Sequence, residues 1–342
     1  MELSTHIYVS LPVEILQLIF DLLPLNHLAS CALVNREWFR IASAMVWQRP
    51  FEFDYIHQKC CTVKTYLLSF TNEQENELLV TCRIKLPASK FSGIRYPLYL
   101  KHLDVGAMVT SIRKWLEWVR NTPKGSESRP FYLGGSEMDD AYRAVTVMRL
   151  LCKMLIGLGV SLSGLKIGGT QDDITMSAYE FYAVTAHIQD LVVECNSEVG
   201  WHHFIEYKYW RNLRSLKVTI SSQEHIEDIA KFLIAQRSLE TFKFTSSNIS
   251  IDPQRILRAL DRQGNSLRYL TIKNASLSKC MPLYTIAGLK RLQCLRFENV
   301  SGINATIIRP LLNAKFPCMK RVWINGDETV CSEAHIWAQS FK

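Results

Sequence analysis

Residues 213–244 read LRSLKVTISSQEHIEDIAKFLIAQRSLETFKF. Leu213, Leu216 and Val218 stand at the first, fourth and sixth positions of an L-x-x-L-x-L pattern, and Leu239, Phe242 and Phe244 repeat it 26 residues later. Side chains two apart share one face of a strand, so each copy predicts a half-buried strand. Between the copies, EHIEDIAKFLIAQ places apolar residues at helical spacing. The unit is a strand followed by a helix.

The pattern continues in both directions. Further copies are Leu100/Leu103/Val105, Leu162/Leu165/Ile167, Ile188/Leu191/Val193, Leu267/Leu270/Ile272, Leu292/Leu295/Phe297 and Met319/Val322/Ile324. From residue 162 onward the starts are 26, 25, 26, 28, 25 and 27 residues apart, whereas the first gap is 62. Phe131 with Leu133 is the candidate for a degenerate copy inside that gap. DDAYRAVTVMRLLCKML, DPQRILRALDRQG and ATIIRPLLNAKF supply further helices. One such unit cannot bury its own apolar face, so neighbours must stack. This region resembles leucine-rich repeats. The resemblance implies a curved solenoid whose parallel strands line a concave face. At the turn position Asn196 is in phase, but Asn274 and Asn299 fall one residue early.

The N-terminus is built differently. In LPVEILQLIFDLLPLNHLASCALVNREW (11–38), Ile15, Leu16, Ile19, Phe20 and Leu23 follow the spacing of one helix face. Pro12 suits a first helical position, Glu14 complements the helix dipole, and Pro24 ends the helix. Asn26 reads as the N-cap of a second short helix, and a third runs from about Asn35 to Trp47. Three helices in roughly forty residues are too few to bury this many apolar side chains, so the surplus must meet the rest of the chain or a partner.

The stretch resembles the F-box motif, which it matches at Leu11, Pro12, Glu14, Ile15, Leu16, Ile19, Phe20, Leu23, Leu28, Val34, Arg36 and Trp38. It departs at His27, where an acid is usual, and at Asn35. The resemblance implies docking on the Skp-type adaptor of a cullin-RING ubiquitin ligase. Its adaptor-binding residues would be Leu11, Pro12, Ile15, Leu16, Ile19, Phe20, Leu23, Leu28, Val34 and Trp38, with Phe20 and Leu23 at the interface. The expected fold is α/β: a three-helix F-box over 1–50, a helical linker over 51–98 and a leucine-rich-repeat domain over 99–342. In the linker, VKTYLLSFTNEQENELL reads as one helix with Val63, Tyr66, Leu67 and Phe70 on a shared face.

Composition narrows the class. With 48% apolar and 21% charged residues, the 342-residue chain is folded rather than disordered. No membrane span is expected, because the most apolar stretch, between Lys153 and Lys166, holds only twelve residues. MELSTHIYVS is no signal peptide, which places the chain in the cytoplasm or nucleus. Ten cysteines then read as buried free thiols. Neither Cys60–Cys61 nor His202–His203 has zinc spacing, so no metal or other cofactor is expected. Nucleotide-binding and hydrolase fingerprints are absent, and the Gly pairs at 134–135 and 168–169 read as turns. The chain is expected not to be an enzyme.

Net charge is +8, and since residues 1–50 hold three arginines against four carboxylates, the excess lies in the repeats. Position five of successive copies reads Lys166, Val192, Lys217, Lys243, Thr271, Arg296 and Trp323, with Lys273 and Arg321 close by. Lys166, Lys217, Lys243, Arg296 and Trp323 are therefore the candidate substrate-binding residues, for an acidic or phosphorylated protein segment with an apolar anchor. A merely solvated basic face is the plainer alternative. The expected function is the substrate-recognition subunit of an SCF-type ligase, bound through the adaptor to a cullin. A non-degradative F-box scaffold is the alternative. Nucleic acid is not an expected partner, because a continuous basic run and interleaved aromatics are missing.

Overall fold

The computed structural model describes residues 11–51, 56–87, 95–122, 130–132, 140–168, 185, 187–195, 210–326 and 332–341. Three helices come first: α1 (Val13–Asp21), α2 (Leu25–Cys31) and α3 (Arg36–Val46). Pro12 lies just outside α1, with ψ of 144°, rather than at its first helical position. Pro24 opens α2 as its N-cap, so Asn26 sits inside that helix instead of capping it. The Pro24 carbonyl accepts from the His27 N–H (2.9 Å) and the Leu28 N–H (3.3 Å), which starts the helix two residues earlier than an Asn cap at 26 predicts. Asn35 does cap α3, accepting from the Trp38 N–H at 2.9 Å.

The expected linker helix is two helices, α4 (Ile56–Leu67) and α5 (Asn72–Cys82). The break falls where the Thr71 side chain accepts from the Gln74 N–H and Gln74 reaches back to the Thr71 N–H. This capping box starts a new helix, while Val63, Tyr66, Leu67 and Phe70 are all buried as the shared face predicts. Helix α4 packs on α6 (Val105–Arg120), and α5 packs on α7 (Asp140–Gly157). These segments share one continuous buried cluster with the strands.

Among the described residues ten strands form two sheets: β1 (Ile84–Lys85), β2 (His102–Asp104), β3 (Phe131–Tyr132), β4 (Gly164–Gly168), β5 (Asp190–Cys195), β6 (Ser215–Ile220), β7 (Thr241–Ser246), β8 (Tyr269–Ser276), β9 (Cys294–Ser301) and β10 (Arg321–Gly326). β1 and β3 make a small antiparallel pair. Phe131 is therefore not a degenerate copy of the repeat; it pairs with Lys85, and Leu133 and the Gly134–Gly135 pair lie outside the described residues. The other eight strands form one parallel sheet in chain order from β2 to β10. Helices α8 (Ile226–Ala235), α9 (Gln254–Ala259), α10 (Tyr284–Ala287) and α11 (Ala305–Asn313) follow β6 to β9, and α12 (Ser332–Gln339) packs on β10. Positions one, four and six of all eight copies are buried, except the half-buried Met319. Alternation sends the intervening side chains to the opposite face, where burial is partial or absent.

One backbone device joins the copies. The Lys101 carbonyl accepts from Ser163 N–H (2.8 Å) and Gly164 N–H (3.0 Å), and the same paired acceptance recurs at Ser163, Gln189, Arg214, Glu240, Arg268 and Gln293. It begins before the first strand, because the Gln48 carbonyl accepts from Lys101 N–H (3.1 Å) and His102 N–H (2.9 Å). The end of α3 thus takes the place of a preceding copy. Trp47 packs there against Tyr66 and Tyr96, with ring centroids 5.6 and 4.5 Å away.

The early asparagines have a structural cause. Asn274 and Asn299 hold φ of 54° and 50°, the left-handed region that Asn tolerates best after Gly. Each inserts one extra residue, so that Ala275 and Val300 turn inward and are fully buried. The two side chains bond to each other at 3.0 Å. Asn196 lies outside the described residues. Gly302, at φ of 75°, lets the backbone pass against Ser278, where a Cβ would collide.

Candidate functional site

Along α1 the expected single face divides. Leu16 and Phe20 turn inward and, with Leu28, Ile41 and Ala42, form a small cluster separate from the main core. Phe20 is 0% exposed and meets the Trp38 ring edge-on at 5.1 Å. Ile15, Leu18, Ile19 and Leu22 occupy an adjoining arc about 100° wide and are all exposed. Leu11, Pro12 and Val34 are exposed as well, Leu23 and Trp38 half-buried, and Leu22 and Leu33 each reach 85% exposure. Leu16, Phe20 and Leu28 therefore support this surface from below; a side chain sealed in the core offers a partner nothing to touch. Leu18, Leu22 and Leu33 belong to the exposed set, although the motif pattern did not select them. An apolar arc of this density on three small helices is a surface to be covered.

Residues 8–52 match the F-box-like family.

No curated protein matches the chain. An F-box-like domain is, in general, the element through which a chain binds a Skp-type adaptor. Here its last helix is tied to the parallel sheet through Gln48, so the exposed arc and the sheet belong to one connected body.

The exposed face of that sheet is the second candidate site. Strand register brings Asp104, Lys166, Val192, Lys217, Lys243, Thr271, Arg296 and Trp323 into one row as successive partners. All five residues selected from sequence lie in it, but their charges are not equivalent. Lys166 Nζ is 3.3 Å from Asp104 Oδ2 and 3.2 Å from Glu194 Oε2. Burial works to lower its pKa, and the two carboxylates outweigh that and raise it. Gly168 is the end of strand β4 rather than part of a turn, and its missing side chain makes room for Glu194 to reach across to Lys166. Gly169 lies outside the described residues. At the other end, Glu298 pairs with Arg296 and, at 3.3 Å, with Lys273. The Arg296 guanidinium sits 5.7 Å from the centroid of the Trp323 ring, and Trp323 remains 52% exposed.

Only the middle of the row differs. Lys217 is exposed and Lys243 half-buried, they are direct register partners, and neither forms an ion pair among the described residues. Around them stand Ser215, Thr219, Thr241, Thr245 and Thr271, on the same or the next strand. A row that starts at the second copy leaves out Asp104, and position five read alone leaves out Glu194 and Glu298. Asp104 is position five of the first copy, and Glu194 and Glu298 are position seven of theirs.

Two further expectations meet the structure here. Cys82 and Cys280 are buried free thiols, but Cys61 and Cys318 are exposed. Burial pushes the Cys82 thiol up to about 11, which keeps it protonated. Among the described residues no helix is long and apolar enough to cross a membrane.

Proposed function

We propose that the chain is the substrate-recognition subunit of an SCF-type ubiquitin ligase. The F-box-like domain binds the Skp-type adaptor, and through it a cullin. The parallel sheet with its helices is a leucine-rich-repeat solenoid, whose exposed strand face binds a protein substrate. The chain contributes no bond-making chemistry in this reading. It holds a substrate near the charged conjugating enzyme, and that proximity supplies the rate. It works in the cytoplasm or nucleus.

The observation that supports the reading is the pairing of an F-box-like match at 8–52 with the exposed arc of Ile15, Leu18, Ile19 and Leu22 on the matched helices. The test is co-purification of the full chain with the adaptor and cullin, followed by ubiquitylation of whatever partner the sheet face retains. Adaptor binding with a partner that is held but never ubiquitylated would favour a non-degradative scaffold. Absence of adaptor binding would overturn the reading altogether.

A further inference from the structure

We propose that the β10 end of the parallel sheet is an interface between two copies of this chain, in which β10 pairs antiparallel with its counterpart about a two-fold axis at Trp323. The inference concerns the edge of the sheet, not its exposed face, and stands apart from the receptor reading.

Three observations carry it. First, the two ends of the sheet are finished differently. At β2 the Gln48 carbonyl accepts from the Lys101 and His102 N–H groups, and Trp47 packs with Tyr66 and Tyr96 close by. At β10 the Lys320 carbonyl is the next in the series of paired acceptors, and among the described residues nothing donates to it. The last copy instead leaves Trp323 52% exposed and, on α12, Ile336 68% exposed. Stacked repeats need a terminal cap with a polar outer face to stay soluble, and this end is apolar. Because the place beside β2 is already taken by α3, copies do not stack head to tail. The surface of this chain that matches the open end is a second open end.

Second, the backbone of β10 is half used. The Arg321 N–H donates to the Gln293 carbonyl, so Arg321, Trp323 and Asn325 direct their main-chain groups toward β9. Alternation turns the N–H and C=O groups of Val322 and Ile324 to the other side, where among the described residues no strand lies. Such an edge is a template for a further strand, and proteins usually blunt it with a proline or an inward-pointing charge. From Arg321 to Asn325 there is no proline, and the inward residues are Val322 and Ile324.

Third, this edge complements itself. Its register with β9 is regular from Arg321 to Asn325 and shifts before Gly326, which leaves an edge centred on Trp323. Antiparallel pairing about that centre sets Val322 of each copy against Ile324 of the other, in pairs that exchange both open N–H and C=O groups. The two Trp323 side chains meet at the closely spaced pair on the two-fold axis and cover one another. Arg321 falls opposite Asn325, and the two Arg321 residues stand about 14 Å apart, beyond a Debye length. A strand from an unrelated partner would fill the same hydrogen bonds but gives no reason for an exposed Trp at the centre.

The test is sedimentation of the full chain between about 1 and 100 μM, where the mass should rise from one chain to two. Trp323→Lys places like charges at the closest pair and should weaken the dimer at least about tenfold, with an unchanged thermal melt. Lys217→Glu, on the exposed face, should leave it unaltered. Raising salt should not weaken the dimer, because two copies of net charge +8 repel each other. Register is read by cross-linking with oxidised glutathione, in a parent carrying Cys61→Ser and Cys318→Ser. Trp323→Cys should form a covalent dimer at least about tenfold faster than Asn325→Cys or the parent, since this register alone brings the two copies of residue 323 within disulfide reach. A chain that stays monomeric throughout would leave the edge to a strand of another protein and overturn the proposal. So would a dimer that survives Trp323→Lys, or cross-linking as fast at 325 as at 323.

Discussion

In the first three helices five residues form the buried cluster, Leu16, Phe20, Leu28, Ile41 and Ala42, while Ile15, Leu18, Ile19, Leu22, Leu33 and Val34 face solvent. The parallel sheet does the reverse, burying its repeated apolar positions and exposing Lys, Thr and Glu. Both regions are rich in apolar residues, yet only the sheet has neighbours on both sides of each unit to stack against. The helices lack that, and their leftover apolar arc is available to a partner. The contrast teaches that the two surfaces should fail differently: one through its support, the other through its charge.

The largest effect should come from the sheet. Phe242→Ala removes a fully buried ring and should cost about 3–5 kcal/mol, lowering the denaturant midpoint of the whole strand array. A loss confined to β7 in hydrogen exchange would show that the copies do not stack cooperatively. Next comes Phe20→Ala, at about 3 kcal/mol, which should unprotect α1 and α2 while β6 to β9 keep their protection. Loss of protection in those strands too would mean that the two clusters are one folding unit. It should also weaken adaptor binding, but indirectly, by removing the support of the exposed arc.

Leu22→Glu sharpens the same point from the outside. At 85% exposure it should change stability by less than about 0.5 kcal/mol, yet cost adaptor binding about 2 kcal/mol. Titration calorimetry showing wild-type affinity would remove α1 from the docking surface. The smallest effect lies at the junction of the two regions. Burial, then the Arg49 guanidinium, depresses the His102 pKa below 6.5, with Asp190 opposing. The unfolded chain then takes up the proton first, so stability should fall as pH drops below 6.5. His102→Gln should flatten that slope; an unchanged pH profile of the melting temperature would rule His102 out as its source.

Several features that the structure shows were legible in principle but read too narrowly. Thr71 and Gln74 spell a capping box inside what looked like one helix. Asp104 completes the row of Lys166 itself, while Glu194 and Glu298 stand in the next register row, beside Lys166 and Arg296. The division of α1 was not legible. Residues 15, 16, 19 and 20 satisfy helical spacing equally well, and spacing alone does not say which pair meets the core. Nor was the place of Phe131, since a two-residue strand has no period to betray its partner.

By itself the sequence determined the strand pattern at 25 to 28 residues, the apolar positions one, four and six, and the three helices before them. These are local regularities, and alternation or helical spacing writes them directly into residue order. Tertiary structure alone decided that Gln48 stands in for a missing strand, that Asn274 and Asn299 each shift the phase by one residue, and that Lys166 and Arg296 have carboxylate partners while, among the described residues, Lys217 and Lys243 have none. The reason is physical. Hydrogen bonding and charge compensation depend on which residues of separate copies lie within a few ångströms, and stacking sets that distance between groups far apart in the chain.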